Sequence, residues 1–168
     1  TLFNLLTGAD VKSANQLFAT LDPTMRALKL PSGRQIILSD TVGFLSSLPT
    51  TLIAAFRATL EEVLEADLII HVRDINHSDT ETQKNDVEDV LEKLGVKMDL
   101  LNSFIEVRNK VDLLNETELE KWKNKGERDD SVLISSVSSI GINTLLSFID
   151  KKVSKTQETI DVQINVKD

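Results

Sequence analysis

Asn109-Lys110-Val111-Asp112 is a polar run whose residue types and spacing suit the recognition of a planar heterocycle. A carboxylate at Asp112 could accept two parallel hydrogen bonds from the N1–H and 2-amino groups of guanine, a pair that adenine does not offer. Asn109 would support the loop and reach the other edge of the base, while the stem of Lys110 would cover one face of the ring. The alternative is a solvated polar loop without a ligand.

Two other polar runs could complete such a site. In Asp40-Thr41-Val42-Gly43, the Asp40 carboxylate could hold a metal-bound water, and the glycine would let its backbone N–H approach a terminal phosphate closely. In Ser135-Ser136-Val137, small side chains would let a backbone N–H reach the guanine carbonyl. Each run alone is also typical of an ordinary turn, so its value as evidence for a ligand site depends on where the fold places it.

Each of the three runs follows a short apolar segment that predicts a strand. These segments end at Leu38, Val107 and Ile134, and a fourth, which reads as a strand buried on both faces, ends at Val72. Segments with helical periodicity lie between them, including residues 50–66 and a segment stopped by Gly95, and residues 115–118 resemble a capping box that opens another helix. Strand alternating with helix predicts an α/β fold in three layers, with a mostly parallel sheet and helices on both faces. Ligands of such sheets bind at the carboxyl ends of the strands, where the polar runs lie.

The flanking segments extend this arrangement. Residues 25–30 and 34–38 surround the turn signal Pro31-Ser32-Gly33 and predict a hairpin. The first six residues read as the middle of a helix without a start signal, so we expect that something upstream has been cut away. Residues 160–166 alternate in polarity and predict an extra strand. We therefore expect one main domain over residues 1–154 and a C-terminal extension over residues 155–168.

Composition narrows the class of protein. The chain has 168 residues and a formal net charge of −8. This charge argues against a protein that binds nucleic acid through overall positive charge. Its apolar content of 40% suffices for a core, and it has no cysteine, so disulfides and cysteine-ligated metals are excluded. No apolar run reaches the ~18 residues that span a bilayer. We expect a cytoplasmic domain with no membrane partner.

Five segments are longer and more specific than general nucleotide-binding motifs. They are residues 17–24 (LFATLDPT), 40–44 (DTVGF), 48–49 (LP), 54–62 (AAFRATLEE) and 66–72 (ADLIIHV). With these segments in this order, the chain resembles the HflX family of translational GTPases, a branch of the P-loop GTPases. The resemblance covers nearly all of residues 1–153.

The resemblance implies binding and hydrolysis of GTP with Mg²⁺. It also implies a factor that associates with the large ribosomal subunit and acts in ribosome dissociation or rescue. Thr20 would coordinate Mg²⁺ directly, and Asp40 would hold it through water. The nucleotide-binding residues carried over form two switches and two guanine-reading loops: Phe18, Ala19, Thr20, Leu21, Asp22, Asp40, Thr41, Val42, Gly43, Asn109, Lys110, Val111, Asp112, Ser135, Ser136 and Val137.

Three features bear on activity: one absent loop and two single positions. A glycine-rich phosphate loop ending in Lys and Ser or Thr is absent from these residues, together with the strand before it. We therefore expect this chain alone to bind GTP poorly, not to hydrolyse it, and to expose sheet edges at a cost in stability. Ser136 replaces the alanine usual at that position. Phe44, expected from the resemblance, stands where many GTPases carry a glutamine that orients the attacking water. We expect slow intrinsic hydrolysis that a partner completes.

Two other classes of protein remain open. One is a degenerate domain that binds partners without nucleotide, and the other is a different nucleotide-binding α/β protein, such as a kinase-like enzyme. Selectivity for GTP over ATP would separate the latter. Among other residues, His71 reads as a packing residue in a strand, and the lysines of residues 121–125 read as a solvated helix face. Arg57 could brace the second switch, contact a partner or be an ordinary surface residue.

Overall fold

Five strands and four helices can be assigned within the described part of the chain. The computed structural model describes residues 2–9, 24–40, 63–93, 95, 104–126 and 131–155. In chain order the elements are α1 (Leu2–Thr7), β1 (Thr24–Lys29), β2 (Gln35–Asp40), β3 (Ile69–Asp74), α2 (Thr80–Lys93), β4 (Phe104–Asn109), a 3₁₀ turn (Val111–Leu113), α3 (Glu116–Gly126), β5 (Ser131–Leu133) and α4 (Ile142–Lys155). None of the helices within these ranges is both long and apolar enough to cross a membrane.

Strands β1 and β2 form the predicted hairpin. They pair antiparallel from Thr24 opposite Asp40 to Lys29 opposite Gln35. The turn between them contains Gly33 at φ +88°, a left-handed conformation that favours glycine. Ser32 fixes the turn to α4, because its backbone N–H and its hydroxyl donate to the two carboxylate oxygens of Asp150 at 2.7 and 2.8 Å.

Strands β3, β4 and β5 form the predicted parallel sheet, in that order. The register sets Asp74 beside Asn109, so both strands end at the same level. Among the described strands, the hairpin is a separate two-stranded sheet, and β3 pairs with β4 alone. Strand β3 is less buried than its continuous apolar run predicts, since Val72 is 43% exposed.

One face of the parallel sheet carries the apolar core. Successive side chains of a strand point to opposite faces, so Ile105 and Val107 of β4 share a face. They pack in one buried cluster with α4, β5 and the hairpin: Leu28, Leu30, Ile105, Val107, Val132, Ile134, Leu145 and Ile149. This cluster joins the two sheets through side chains, with α4 as the cover.

The other face of the sheet carries buried charges. Glu106 Oε1 accepts from Arg73 Nη1 and from Arg108 Nε, each at 2.7 Å. Lys84 of α2 lies 3.3 Å from Oε2 of the same carboxylate. Trp122 of α3 covers the pair, with the Arg108 guanidinium carbon 5.0 Å from the ring centroid. Helices α2 and α3 therefore cover this second face, which confirms the prediction of helices on both faces.

Burial and charge perturb two titrating groups on this face. Burial opposes ionisation of Glu106, but the hydrogen bond and charge of Arg108, together with Arg73 and Lys84, outweigh it and lower the pKa of Glu106 to about 2. Burial and the nearby Arg73 lower the pKa of His71 to about 4. His71 lies against Phe104, with ring centroids 5.7 Å apart, which fits the packing role predicted for it.

Local signals set the ends of the remaining helices. Asn115 and Glu118 form a reciprocal capping box before α3, in which each side chain accepts from the other's backbone N–H, at 2.9 and 3.0 Å. Helix α2 is followed by Gly95 at φ +82°, as its sequence predicts. The helix predicted over residues 50–66 falls largely outside the described residues, and the tail strand predicted over residues 160–166 falls wholly outside them.

Candidate functional site

The loop after β4 begins with a reversal of the backbone at Lys110. This residue adopts φ 72°, ψ 34°, a left-handed conformation, and a 3₁₀ turn from Val111 to Leu113 follows at once. Val111 anchors the turn, because its side chain is buried and its N–H donates to the Ile134 carbonyl at 3.2 Å. Asp112 stands on this anchored turn with its side chain exposed, where a carboxylate can meet a ligand.

The Asn109 side chain joins the loops after β4 and β5. Its Oδ1 accepts from the Lys110 N–H at 2.8 Å, from the Ser136 N–H at 3.0 Å and from the Ser136 hydroxyl at 3.0 Å. Three donors meet at one atom, so that atom is the amide oxygen and the NH₂ group points elsewhere. The sequence predicts that a backbone N–H of the second loop reaches a guanine carbonyl. In this structure the Ser136 N–H donates to Asn109 Oδ1, and its reach to a guanine carbonyl stays a prediction.

The loop after β5 is held by bonds within itself. The Ser135 N–H donates to the Ile140 carbonyl at 3.0 Å, and the Ser135 hydroxyl accepts from the Ser138 N–H at 3.1 Å. Gly141 closes the loop at φ +73°, and a Cβ there would lie 2.2 Å from the Leu133 carbonyl oxygen. Val137, at the tip, is 80% exposed.

Asp74 is a member of this site that the sequence reasoning missed. Its Oδ2 accepts from the Lys110 ammonium at 2.5 Å, and its Oδ1 accepts from the Asn76 N–H at 3.1 Å. The Ile75 N–H also donates to the Asn109 carbonyl, at 3.3 Å. A signal was present, because Asp74 lies two residues after the apolar segment that predicts β3, at the same sheet edge as the other runs.

Asp40 ends β2 with its carboxyl half-buried, and burial raises the pKa of that carboxyl. A carboxylate oxygen is a ligand that Mg²⁺ accepts, and Mg²⁺ usually takes only one or two carboxylates besides phosphate oxygens and water. Asp40 therefore fits the predicted role. The described ranges contain no cluster of three or more metal-binding side chains. Thr20, the other predicted magnesium ligand, lies outside those ranges, as do the rest of residues 18–22 and residues 41–43.

The structure thus brings together the residues of the two predicted base-reading loops. Asn109, Lys110 and Ser136 are linked by hydrogen bonds, and Ser135 and Val111 shape the loops around them. Asp112 follows in the next turn of the same loop. These contacts lie at the carboxyl end of a parallel sheet, which is the usual ligand-binding edge of this class of fold.

Comparisons with known proteins point to one family. A family model described as 50S ribosome-binding GTPase matches residues 1–110. The protein named GTPase HflX of Caldanaerobacter subterraneus subsp. tengcongensis is 45% identical over 160 residues, which are 95% of this chain and 35% of that protein. GTPase HflX of Magnetococcus marinus is 42% identical over 168 residues, which are 100% of this chain and 38% of that protein. The chain thus spans little more than a third of the length of these two relatives.

A solved structure supports the fold. The G domain of the FeoB iron transporter of T. maritima superposes with a TM-score of 0.58 at 23% identity, covering 90% of this chain and 89% of that one. The structure has the parallel sheet and two-sided helices of a P-loop GTPase fold, and relatives named HflX match nearly the whole sequence. The chain belongs to the HflX family of GTPases.

Proposed function

We propose that this chain supplies the guanine-reading part of a factor that binds and hydrolyses GTP. The observation that carries the proposal is the junction of the two loops at Asn109, whose Oδ1 accepts two hydrogen bonds from Ser136, a residue 27 positions away. A solvated loop has no need of such a link. The junction holds both loops in fixed positions beside Asp112, where a planar base can be recognised on two edges at once.

Selection of guanine follows from the groups that these loops present. Asp112 is an exposed carboxylate, which accepts hydrogen bonds and donates none. Guanine offers a matched pair of donors at N1 and the 2-amino group, whereas adenine offers an acceptor at N1. Binding of adenine would leave the carboxylate facing a lone pair, so GTP and GDP are preferred over ATP and ADP.

The substitution Asp112→Asn tests this selection on the complete protein as its gene encodes it. Xanthine carries a carbonyl where guanine carries the 2-amino group, so the amide NH₂ of asparagine can donate where aspartate cannot. We expect GDP affinity to fall by roughly 100-fold and XDP affinity to rise, measured by calorimetry with GDP, XDP and ADP. Glu116→Gln, an exposed carboxylate at the start of α3, is the matched control and leaves all three affinities unchanged.

Two outcomes contradict the proposal. Equal binding of ADP and GDP by the unmodified protein points to a nucleotide enzyme of another class. Binding of neither nucleotide points to an interaction module without a nucleotide, which is the alternative that the sequence leaves open.

We further propose that Mg²⁺ accompanies the nucleotide, with Thr20 and Asp40 as its protein contacts, the latter through water. The ion supplies neutralisation of phosphate charge when it is bound. The chain's own part is to present the half-buried Asp40 carboxyl at the end of β2. Since Phe44 cannot hydrogen-bond an attacking water, hydrolysis by the protein alone is slow.

The partner proposed to complete the reaction is the large ribosomal subunit, with ribosome dissociation or rescue in the cytoplasm as the outcome. The description of the matching family, 50S ribosome-binding GTPase, supports the choice of the large subunit. The test compares GTP turnover by the complete protein with and without purified large subunits. We expect a rise of at least about tenfold, since supplying a missing catalytic group in GTPases typically gains 10³–10⁵. An unchanged rate counts against this partner.

The 168 residues contain no glycine-rich run ending in Gly-Lys-Ser or Gly-Lys-Thr, the element that cradles phosphates. We therefore propose that this chain by itself binds GTP weakly and does not hydrolyse it. Micromolar affinity of the isolated 168-residue chain for GTP contradicts this statement without affecting the proposed base recognition.

A further inference from the structure

We propose that Ser136 is a positioning residue with two separate donors, its hydroxyl and its backbone N–H. When the backbone N–H turns to the ligand, the hydroxyl keeps the Asn109 amide directed at N7 of the base. The inference rests on the proposed guanine binding and assigns Ser136 a role in that same site. It starts from the observation that both donors of Ser136 reach the same atom, Asn109 Oδ1, at 3.0 Å.

The orientation of the Asn109 amide decides what it offers to a base. The terminal torsion of asparagine is broad and roughly two-fold, so hydrogen bonds choose which end points where. Here Oδ1 is taken by donors of Lys110 and Ser136, and the two N–H groups of Nδ2 are directed away from them. Guanine N7 is an acceptor on the edge opposite to the one that Asp112 would read. An amide turned this way therefore presents donors that match N7.

A hydroxyl matters because the backbone donor cannot serve two acceptors equally well. Guanine also carries O6, a carbonyl oxygen that needs a donor. If the Ser136 N–H leaves Asn109 for O6, the second loop keeps its hold on Asn109 only through the serine hydroxyl. Ser136 is 8% exposed, so water has little room to replace that hydroxyl. An alanine at this position would lose the link as soon as the base binds.

The proposal is tested with Ser136→Ala in the complete protein and two probes, GDP and 7-deaza-GDP, which lacks the N7 acceptor. For GDP we expect the variant to bind about 3- to 10-fold more weakly, the value of one hydrogen bond. For 7-deaza-GDP we expect a change of less than about twofold, because the amide has no acceptor to meet. The ratio of the two affinities therefore shrinks in the variant. A role in folding alone would weaken both probes equally and leave the ratio unchanged.

Two further variants make the result specific. Ser138→Ala removes an exposed hydroxyl two residues away on the same loop, and it should leave both affinities and their ratio as they are. Ser136→Cys keeps a side chain of similar size but a much weaker donor, and it should behave like Ser136→Ala. This second variant also decides the matter if Ser136→Ala proves unstable, as checked by thermal unfolding.

The outcomes separate this inference from the proposed function. If the unmodified protein binds GDP over ADP, but Ser136→Ala and Ser136→Cys keep the ratio of GDP to 7-deaza-GDP affinity, the role of Ser136 is overturned and the guanine site stands. If the unmodified protein does not prefer GDP to ADP, the proposed function falls and this inference falls with it. A smaller ratio in both variants, with Ser138→Ala unchanged, supports the inference.

Discussion

The ammonium of Lys110 is tethered to Asp74, a residue 36 positions earlier in the chain. The ion pair holds the end of the lysine side chain at the end of β3, and the stem behind it is the part predicted to cover one face of a base. Asp74→Asn removes the charge that holds it. Because the pair is partly exposed, with side-chain exposures of 47% and 30%, its contribution is modest. We expect GDP to bind up to about fivefold more weakly in the complete protein, as measured by calorimetry.

Asp79→Asn is the control for this prediction, since Asp79 is an exposed carboxylate in the segment just after Asp74. It carries the same change of charge but does not contact Lys110. Equal losses in both variants would show that general charge, and not the tether, is responsible.

Gly141 offers a second prediction at the scale of single residues. Its φ of +73° and the 2.2 Å approach of an added Cβ to the Leu133 carbonyl oxygen leave no room for a side chain. Because the obstacle is backbone, relief requires movement of the loop that contains Ser135 and Ser136. We expect Gly141→Ala to reduce the free energy of unfolding by about 3 kcal/mol or more, read from urea midpoints.

Gly33→Ala is the matched control, because Gly33 also has a positive φ, +88°, but nothing lies within 4 Å of its added Cβ. That change should cost only about 1 kcal/mol, the penalty of the backbone conformation alone. A similar cost at both glycines would mean that the close contact with Leu133 has no energetic weight.

At the scale of elements, the charged face shared by β3 and β4 predicts a dependence of stability on pH. His71 has a pKa near 4 in the fold, against 6.5 in an unfolded chain. The unfolded state therefore binds more protons as the pH falls from about 6.5 to 4, and the folded state loses stability over that range. The loss reaches about 3 kcal/mol at most. Glu106, with its lowered pKa, adds a further loss below about pH 4.5.

Urea unfolding at a series of pH values measures this dependence. His71→Gln keeps a neutral polar side chain at every pH, so its stability should stay level between about pH 6.5 and 4.5 and fall only below that range. The same slope in the variant and in the unmodified chain would show that other groups cause it.

Most elements could be predicted because their signals are local. Alternation around Pro31-Ser32-Gly33 indicates the hairpin, and the Asn115–Glu118 spacing indicates the start of α3, and both are confirmed. The charged network on β3 and β4 could not be predicted, since Arg73, Glu106 and Arg108 meet only through strand pairing. From their charge alone, these three residues would be expected at the protein surface.

The candidate site could likewise be predicted only in part from the sequence. Asn109 and Ser136 were predicted as members of two separate loops, and the fold shows the hydrogen bonds that join them. The role of Asp74 depends on the strand register, which no spacing along the chain reveals. The predicted switch residues 18–22 and 41–43 lie outside the described ranges and stay predictions.

For the whole molecule, the shared apolar cluster predicts that hairpin and parallel sheet unfold together. Leu28 of the hairpin packs with Ile105, Leu145 and their neighbours, whereas the single tryptophan, Trp122, lies on the opposite face of the sheet. Leu28→Ala should reduce the free energy of unfolding by about 2–4 kcal/mol. The unfolding midpoint should shift equally whether it is followed by Trp122 fluorescence or by circular dichroism.

Met25→Ala, on the same strand but 50% exposed, should shift neither midpoint by much. If Leu28→Ala shifts circular dichroism but leaves the Trp122 transition in place, the hairpin is an independent unit and the common core is not cooperative.

Lys110 and Ser139 are the two described residues with a side chain at positive φ, and the others at positive φ are all glycines. Both stand in the loops that meet at Asn109. A left-handed backbone costs an ordinary residue about 1 kcal/mol more than glycine. Glycine at position 139 should therefore raise thermal stability without loss of function, since no ligand contact is assigned to Ser139. Glycine at position 110 would also relieve the backbone, but it would remove the lysine proposed to cover the base. Thermal stability and the proposed recognition of the base therefore make opposite demands on the two loops.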